Sequence, residues 1–132
     1  MPGPAELSSA WIEGDPSARW RTSAGHGPGT GARASGSSFL EVPRGCRLPR
    51  HTDSAEETIV VTGGSAEVTL GEDHCSVRAG EIAIVPADLP HEVRNAGDEP
   101  LRFVAVYAAP EVVTTYERPV QPEGKKERKP VA

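Results

Sequence analysis

Only two of the 132 residues are cysteine, Cys46 and Cys75. So few exclude a scaffold stapled by several disulfides; the sequence leaves one bond between the two open, with free thiols the default. Cys46 follows Gly45 with no basic or His partner fixed beside it by spacing, so a nucleophilic thiol is not expected. No N-terminal apolar run reaches signal-peptide or membrane-spanning length, which predicts a cytoplasmic protein with no membrane partner. Aromatics are scarce, with two each of Trp, Tyr and Phe. No stretch sustains a 3.6-residue apolar period, so a helical bundle is excluded. Gly (14) and Pro (13) are abundant instead, as suits short strands joined by tight turns.

Charge is also one-sided. The net charge is −5, with +3 carried by residues 118–132 and −8 by the rest. An acidic body repels phosphate backbones, which argues against a nucleic-acid partner. The basic end is diluted with Pro, Gly and Glu and reads as a disordered, solvated tail over 118–132. The GPGTG run at 27–31 lacks the Lys and the preceding apolar strand of a phosphate-binding loop.

Residues 1–36 read as a flexible or partner-packing N-terminal arm. Trp11 and Trp20 are the exceptions within it, costly to leave in water and expected to pack on the folded body or on a partner subunit. From Ser37 short β-branched runs begin: SSFLEV (37–42), ETIVVTG (57–63), SAEVTL (65–70), HCSVRA (74–79), EIAIVP (81–86), HEVRN (91–95), LRFVAVYA (101–108) and VVTTYE (112–117). Gly and Pro punctuate the gaps, which predicts an all-β domain over 37–117, an antiparallel sandwich or barrel. A core this small gains from burial against a second copy, so a homodimer is expected.

The chemistry concentrates in two stretches, GCRLPRHTDSAEETIVVTGG (45–64) and GEIAIVPADLPHEVRN (80–95). Strand side chains alternate faces, so His51, Asp53 and Glu57 share one parity and can converge, while Glu56 faces away. With His91 they offer two imidazoles and one or two carboxylates, donors that suit a divalent ion. Such a nitrogen and oxygen set favours Fe(II) or Mn(II), with Zn(II) or Ni(II) also accommodated. His26, among glycines, and His74, at a hairpin turn, have no such context and are expected to be exposed.

Both stretches resemble the paired motifs of the cupin superfamily. Gly45, His51, Glu57 and Gly64 match the first, and Gly80, Pro86, His91 and Asn95 match the second. Asp53 stands where the family usually has a second His, and Asp88 where it usually has Gly. The resemblance implies a small single-domain cupin, with the double-stranded β-helix or jelly-roll barrel as its fold. It also implies an open metal site, and an N-terminal arm of the kind that small cupins exchange between subunits.

Three functional readings follow for a small-molecule substrate. One is a metal-dependent dioxygenase. The second is a cyclase or isomerase, like the small cupins of aromatic polyketide pathways, in which a carbonyl is polarised and enolised. The third is a non-catalytic binding or sensing module. An enzyme is favoured because a metal left open in a barrel mouth is reactive. Asp53 is either a ligand or, if not, the catalytic proton-transfer group. Arg47 shares the ligands' parity and is expected to face inward against an anionic substrate. Phe103 and Tyr107 lie on one face of their strand, as candidate pocket walls.

Overall fold

The computed structural model describes residues 6–131. It contains twelve strands and one 3-10 turn at Pro28–Thr30, with no α-helix among the described residues. The strands are β1 (Ser8–Ile12), β2 (Asp15–Ala24), β3 (Gly36–Val42), β4 (Arg47–Asp53), β5 (Glu57–Gly63), β6 (Ser65–Leu70), β7 (Asp73–Arg78), β8 (Ile82–Val85), β9 (His91–Asn95), β10 (Leu101–Tyr107), β11 (Thr114–Gln121) and β12 (Lys125–Arg128). They form one hydrogen-bonded path in the order β7-β6-β9-β4-β11-β1-β2-β3-β10-β5-β8, with β12 paired to β11. β9 and β5 lie far apart along this path, yet His91 on β9 stands 3.1 Å from Glu57 on β5. Contact at that range requires the sheet to curl over itself, which is the jelly-roll barrel expected from the motifs.

Alternation sets the core. On β10 Leu101, Phe103, Ala105 and Tyr107 are buried while Val104 and Val106 are half-buried, so closure of the barrel selects the odd-numbered face. Ile59 and Val61 of β5, Ala83 and Val85 of β8, and Val93 of β9 join the same cluster. Gly64 turns β5 into β6 at φ 79°, and a Cβ there would meet the Pro100 carbonyl oxygen at 2.9 Å. Both the backbone angle and the space call for glycine. Asp88 is a non-glycine residue at φ 63°, in the left-handed region that Asp tolerates better than most residues. Its N–H donates to the Asp53 carbonyl at 2.8 Å, so the turn before His91 is tied directly to the strand end that carries Asp53.

The two ends differ from the sequence expectation. Residues 8–24 are not a loose arm: β1 and β2 join the sheet between β11 and β3. Trp20 is fully buried, whereas Trp11 is half-buried, with its indole N–H donating to Glu13 at 3.4 Å. Nor is the basic end a disordered tail, because β11 runs on to Gln121 and β12 returns along it, pairing Arg128 with Thr114. Neither DPSARWRTSA nor KKER has the β-branched signature of a strand. Pairing to an existing strand edge overrides weak propensity there. β4 lacks that signature as well, since RLPRHTD holds one β-branched residue and a proline.

No helix among the described residues is long and apolar enough to cross a membrane. His26 is held by two serines, its ring nitrogens lying 2.6 Å from Ser37 Oγ and 2.8 Å from Ser35 Oγ. His74 is exposed and reaches only Thr69. Both cysteines are free thiols.

Candidate metal centre

β4 and β9 lie antiparallel with His51 directly opposite His91, and paired residues project to the same face. Asp53 follows two residues after His51 on that face, and Glu57 enters from the start of β5. The four side chains are 0–4% exposed, and one donor atom from each lies within 4.8 Å of all the others.

Each imidazole is oriented by the backbone two residues before it. His51 Nδ1 donates to the Pro49 carbonyl at 2.7 Å, and His91 Nδ1 to the Leu89 carbonyl at 2.9 Å. Both Nε2 atoms are thereby turned into the centre, the arrangement by which outer hydrogen bonds fix metal-ligating histidines. His91 Nε2 lies 3.1 Å from both Asp53 Oδ2 and Glu57 Oε1, and His51 Nε2 lies 3.8 Å from Asp53 Oδ2. Thr114 Oγ1 donates to Asp53 Oδ1 at 2.7 Å, which fixes the carboxylate plane. The other oxygen, Asp53 Oδ2, is buried and accepts no well-aligned hydrogen bond among the described residues, although His91 Nε2, bonded to Glu57, stands 3.1 Å away.

A buried carboxylate oxygen without a donor is costly, and here it points at the Nε2 atoms of two imidazoles. Donors about 2.1 Å from one ion sit roughly 3 Å apart when adjacent and about 4 Å apart when opposite. The separations of 3.1, 3.1 and 3.8 Å fall in that range and the whole set lies within 4.8 Å, so the residues fit a divalent cation after a small contraction. Without one, a proton does part of its work. Burial disfavours charge on His91, but the two facing carboxylates outweigh it and raise its pKa to about 10. Burial and the charge of His91 lower His51 to about 4. Burial pushes Asp53 upward, yet the approach of the imidazoles wins and holds it down at about 2. Glu57 is pushed up by burial, with the Asp53 charge adding, to about 7.

The centre opens on a cavity of about 330 Å³. Its walls include Trp20, Leu40, Leu48, Tyr107 and Tyr116, with Ser38 and Thr114 among them and Glu6, Glu123, Arg128 and Lys129 also contributing. Tyr116 pairs with His51 across β11 and β4, and the two rings lie 5.0 Å apart. Burial raises the pKa of both Tyr107 and Tyr116, so each keeps its proton and remains a donor. Tyr107 Oη lies 3.3 Å from Ser38 Oγ.

Of the residues expected in the pocket, Tyr107 lines it. Phe103 is 2% exposed and packs in the core, paired with Val61 and Leu40. Arg47 is turned away. Leu48 pairs with Val93 while His51 pairs with His91, so β4 carries one residue more than β9 between these pairs. Such a bulge reverses the alternation: Leu48 joins the ligand face and Arg47 leaves it. Arg47 instead bonds Asp15 at 2.6 Å, Glu92 at 2.7 Å and the Ser17 hydroxyl. Arg47→Ala is therefore expected to leave metal content unchanged and to cost about 1 kcal/mol or less in a urea melt, because its ion pairs are partly exposed. Metal loss in that variant would return Arg47 to the site. Leu48, Thr114 and Tyr116 line the site without any sequence signal for it, and Trp20, expected only to pack on the folded body or a partner, lines it too. Only Thr114 and Tyr116 lay in an expected strand, and nothing local marks them as facing His51 and Asp53.

Comparison with known proteins agrees with this architecture. Two curated relatives are 35% identical over 79 residues: Protein SchB of Streptomyces halstedii, with 58% of this chain and 57% of that protein aligned, and Polyketide synthase CurC of Streptomyces cyaneus, with 58% and 51%. The chain thus spans little more than half the length of the curated relatives it matches. Among solved structures, oxalate decarboxylase of Bacillus subtilis is 20% identical, with 86% of this chain and 29% of that chain covered and a TM-score of 0.65. The cupin domain of Schizosaccharomyces pombe Cnp3 is 18% identical, with 68% and 64% covered and a TM-score of 0.61. At these identities the structures speak for the fold alone. The cupin domain model itself matches residues 38–107, more than half the chain and the span that holds all four centre residues, and the chain belongs to the cupin family.

Proposed function

We propose that this cupin is a metal-dependent enzyme that rearranges a small carbonyl-bearing, enolic or aromatic molecule, as a cyclase or isomerase of a polyketide-type substrate. The observation that carries this reading is the unpartnered Asp53 Oδ2 beside two oriented Nε2 atoms at the floor of an open cavity. The resemblance to a protein named Polyketide synthase CurC supports the substrate class. His51 Nε2, His91 Nε2, Asp53 Oδ2 and a Glu57 oxygen would hold the ion, so Asp53 is a ligand and not a free proton carrier. Two carboxylates and two imidazoles favour Fe(II) or Mn(II), with Zn(II) or Ni(II) as alternatives. Bound there, the ion supplies Lewis-acid polarisation of a substrate oxygen.

The chain's own residues do the rest. Trp20, Leu40, Leu48 and Tyr116 present flat and apolar surface to a ring and exclude water from it. The Tyr107 hydroxyl, steadied by Ser38, donates toward an oxygen on which negative charge develops, where a fixed donor is worth more than water. Thr114 keeps the Asp53 carboxylate in one orientation. A homodimer in the cytoplasm completes the reading; it is supported by Ile82 and Ile84, 58% and 47% exposed on the edge strand β8, and by the two free thiols.

Turnover of a phenolic polyketone by the Mn(II)- or Fe(II)-loaded protein is expected to proceed equally well in air and under nitrogen. Dependence on oxygen, with stoichiometric uptake, would replace the cyclase or isomerase with a dioxygenase. Ligand binding without turnover would make the protein a sensing module.

A further inference from the structure

We propose that Arg128 is the specificity-determining residue of this pocket, and that the substrate carries an anionic group, a carboxylate in the simplest case, at the end remote from its metal-binding oxygen. The inference rests on the metal reading above and adds the substrate's charge to it.

The register places Arg128 there. Arg128 of β12 pairs with Thr114 of β11, and Thr114 pairs in turn with Asp53 of β4. Directly opposed residues on neighbouring strands project to one face. Arg128, Thr114 and Asp53 therefore stand in a row on the inner face, with about 10 Å between the outer two from the strand spacing. The Arg128 side chain is 19% exposed and lines the same cavity as His51, Asp53 and Glu57. Its Nη2 lies 3.4 Å from Glu123 Oε1, a long contact. Its Nη1 is buried and has no hydrogen-bond partner among the described residues.

Two buried polar atoms in this cavity thus lack partners, Asp53 Oδ2 at the floor and Arg128 Nη1 above it. The first calls for a cation and the second for an acceptor. Burying a guanidinium donor unpaired is costly, and a planar fork of this kind recognises a carboxylate better than an ammonium group does. Lys129 adds positive charge at the cavity wall, against Glu6 and Glu123. A divalent ion with two carboxylate ligands is neutral, so the positive charge available to an anionic substrate comes from the wall, where Arg128 and Lys129 stand against Glu6 and Glu123. A ligand with an oxygen chelate at one end and a carboxylate at the other would meet the centre and the Arg128 guanidinium together.

The test uses the full chain loaded with Mn(II), under nitrogen, and two catechols that differ in one group. 3-(3,4-Dihydroxyphenyl)propionate carries the carboxylate, and 4-ethylcatechol lacks it. Isothermal titration is expected to show the propionate bound roughly tenfold or more tighter, the scale of one charge-assisted hydrogen bond. Arg128→Gln should abolish that preference while leaving metal content and 4-ethylcatechol binding as in the parent, and Arg128→Lys should restore part of it. Equal affinities in the parent, or a preference that survives in Arg128→Gln, would overturn the assignment. Metal content measured on the same samples separates the two readings. A parent that takes up no Mn(II) overturns the metal reading, whereas a loaded parent without the preference overturns the role of Arg128 alone.

Discussion

His91→Ala is expected to abolish metal binding. His91 is fully buried, and its Nε2 lies 3.1 Å from both carboxylates of the centre. Changing a residue that merely orients a ligand costs about 10–100-fold in metal affinity, and deleting a ligand costs more. Occupancy measured by mass spectrometry, on protein prepared without an affinity tag or added metal, should fall from near one ion per chain to under about a tenth. His26→Ala is the matched control, because that ring is held by Ser35 and Ser37 and no centre residue contacts it. Circular dichroism on both variants checks that they remain β-sheet, as expected for substitutions that leave the strands paired. A parent that is empty and also refuses added Mn(II), Fe(II), Zn(II) and Ni(II) would remove the metal reading, and the cavity would then be that of a metal-free binding barrel. Metal retained by His91→Ala would move the site elsewhere.

The second large effect concerns stability. Trp20 is 1% exposed and stacks on Tyr116 with ring centroids 5.4 Å apart. Tyr116 in turn lies against the His51 ring. Removing a buried indole leaves a cavity that the barrel cannot refill, at a cost of about 3–5 kcal/mol, a large share of a typical 5–15 kcal/mol of total stability. Trp20→Ala should therefore lower the thermal midpoint by roughly 10 °C or more. It should also weaken metal retention, since the support behind His51 is lost. Trp11→Ala should lose about 1 kcal/mol or less, because that ring is half-buried and carries only the Glu13 hydrogen bond and the Arg19 guanidinium 5.8 Å from its centroid. Equal melting of Trp20→Ala and the parent would mean that β2 contributes nothing to the folded body.

The convergence of His51, Asp53, Glu57 and His91 was legible in the sequence because it depends on quantities the sequence states directly. Spacing along a strand fixes which side chains share a face, so His51 with Asp53, and the separation of Glu56 from Glu57, followed from parity. Gly and Pro marked the strand ends, and the paired motifs named the barrel. Local pattern failed where one strand's conformation depends on another's. Arg47 had the correct parity, and a single extra residue on β4 between Leu48 and His51 reversed it; a bulge is a property of the pairing, and the local sign of it in RLPRH is Pro49, which lies between the two pairs. Phe103 and Tyr107 share a face of β10, yet only Tyr107 reaches the cavity, because depth along the barrel separates them.

The ends of the chain show the same limit at larger scale. β2 and β12 have the composition of solvated segments and become strands because β3 and β11 offer free edges to them. That pairing decides what the cavity is made of, since it brings Trp20 to one wall and Arg128 to another. By itself, then, the sequence determined the strand-rich class, the cupin motifs and the four candidate donors, all encoded in two stretches, 45–64 and 80–95. Tertiary structure alone decided which arginine faces the site and what closes over it, because side chains more than sixty residues apart in the chain meet only when the barrel shuts.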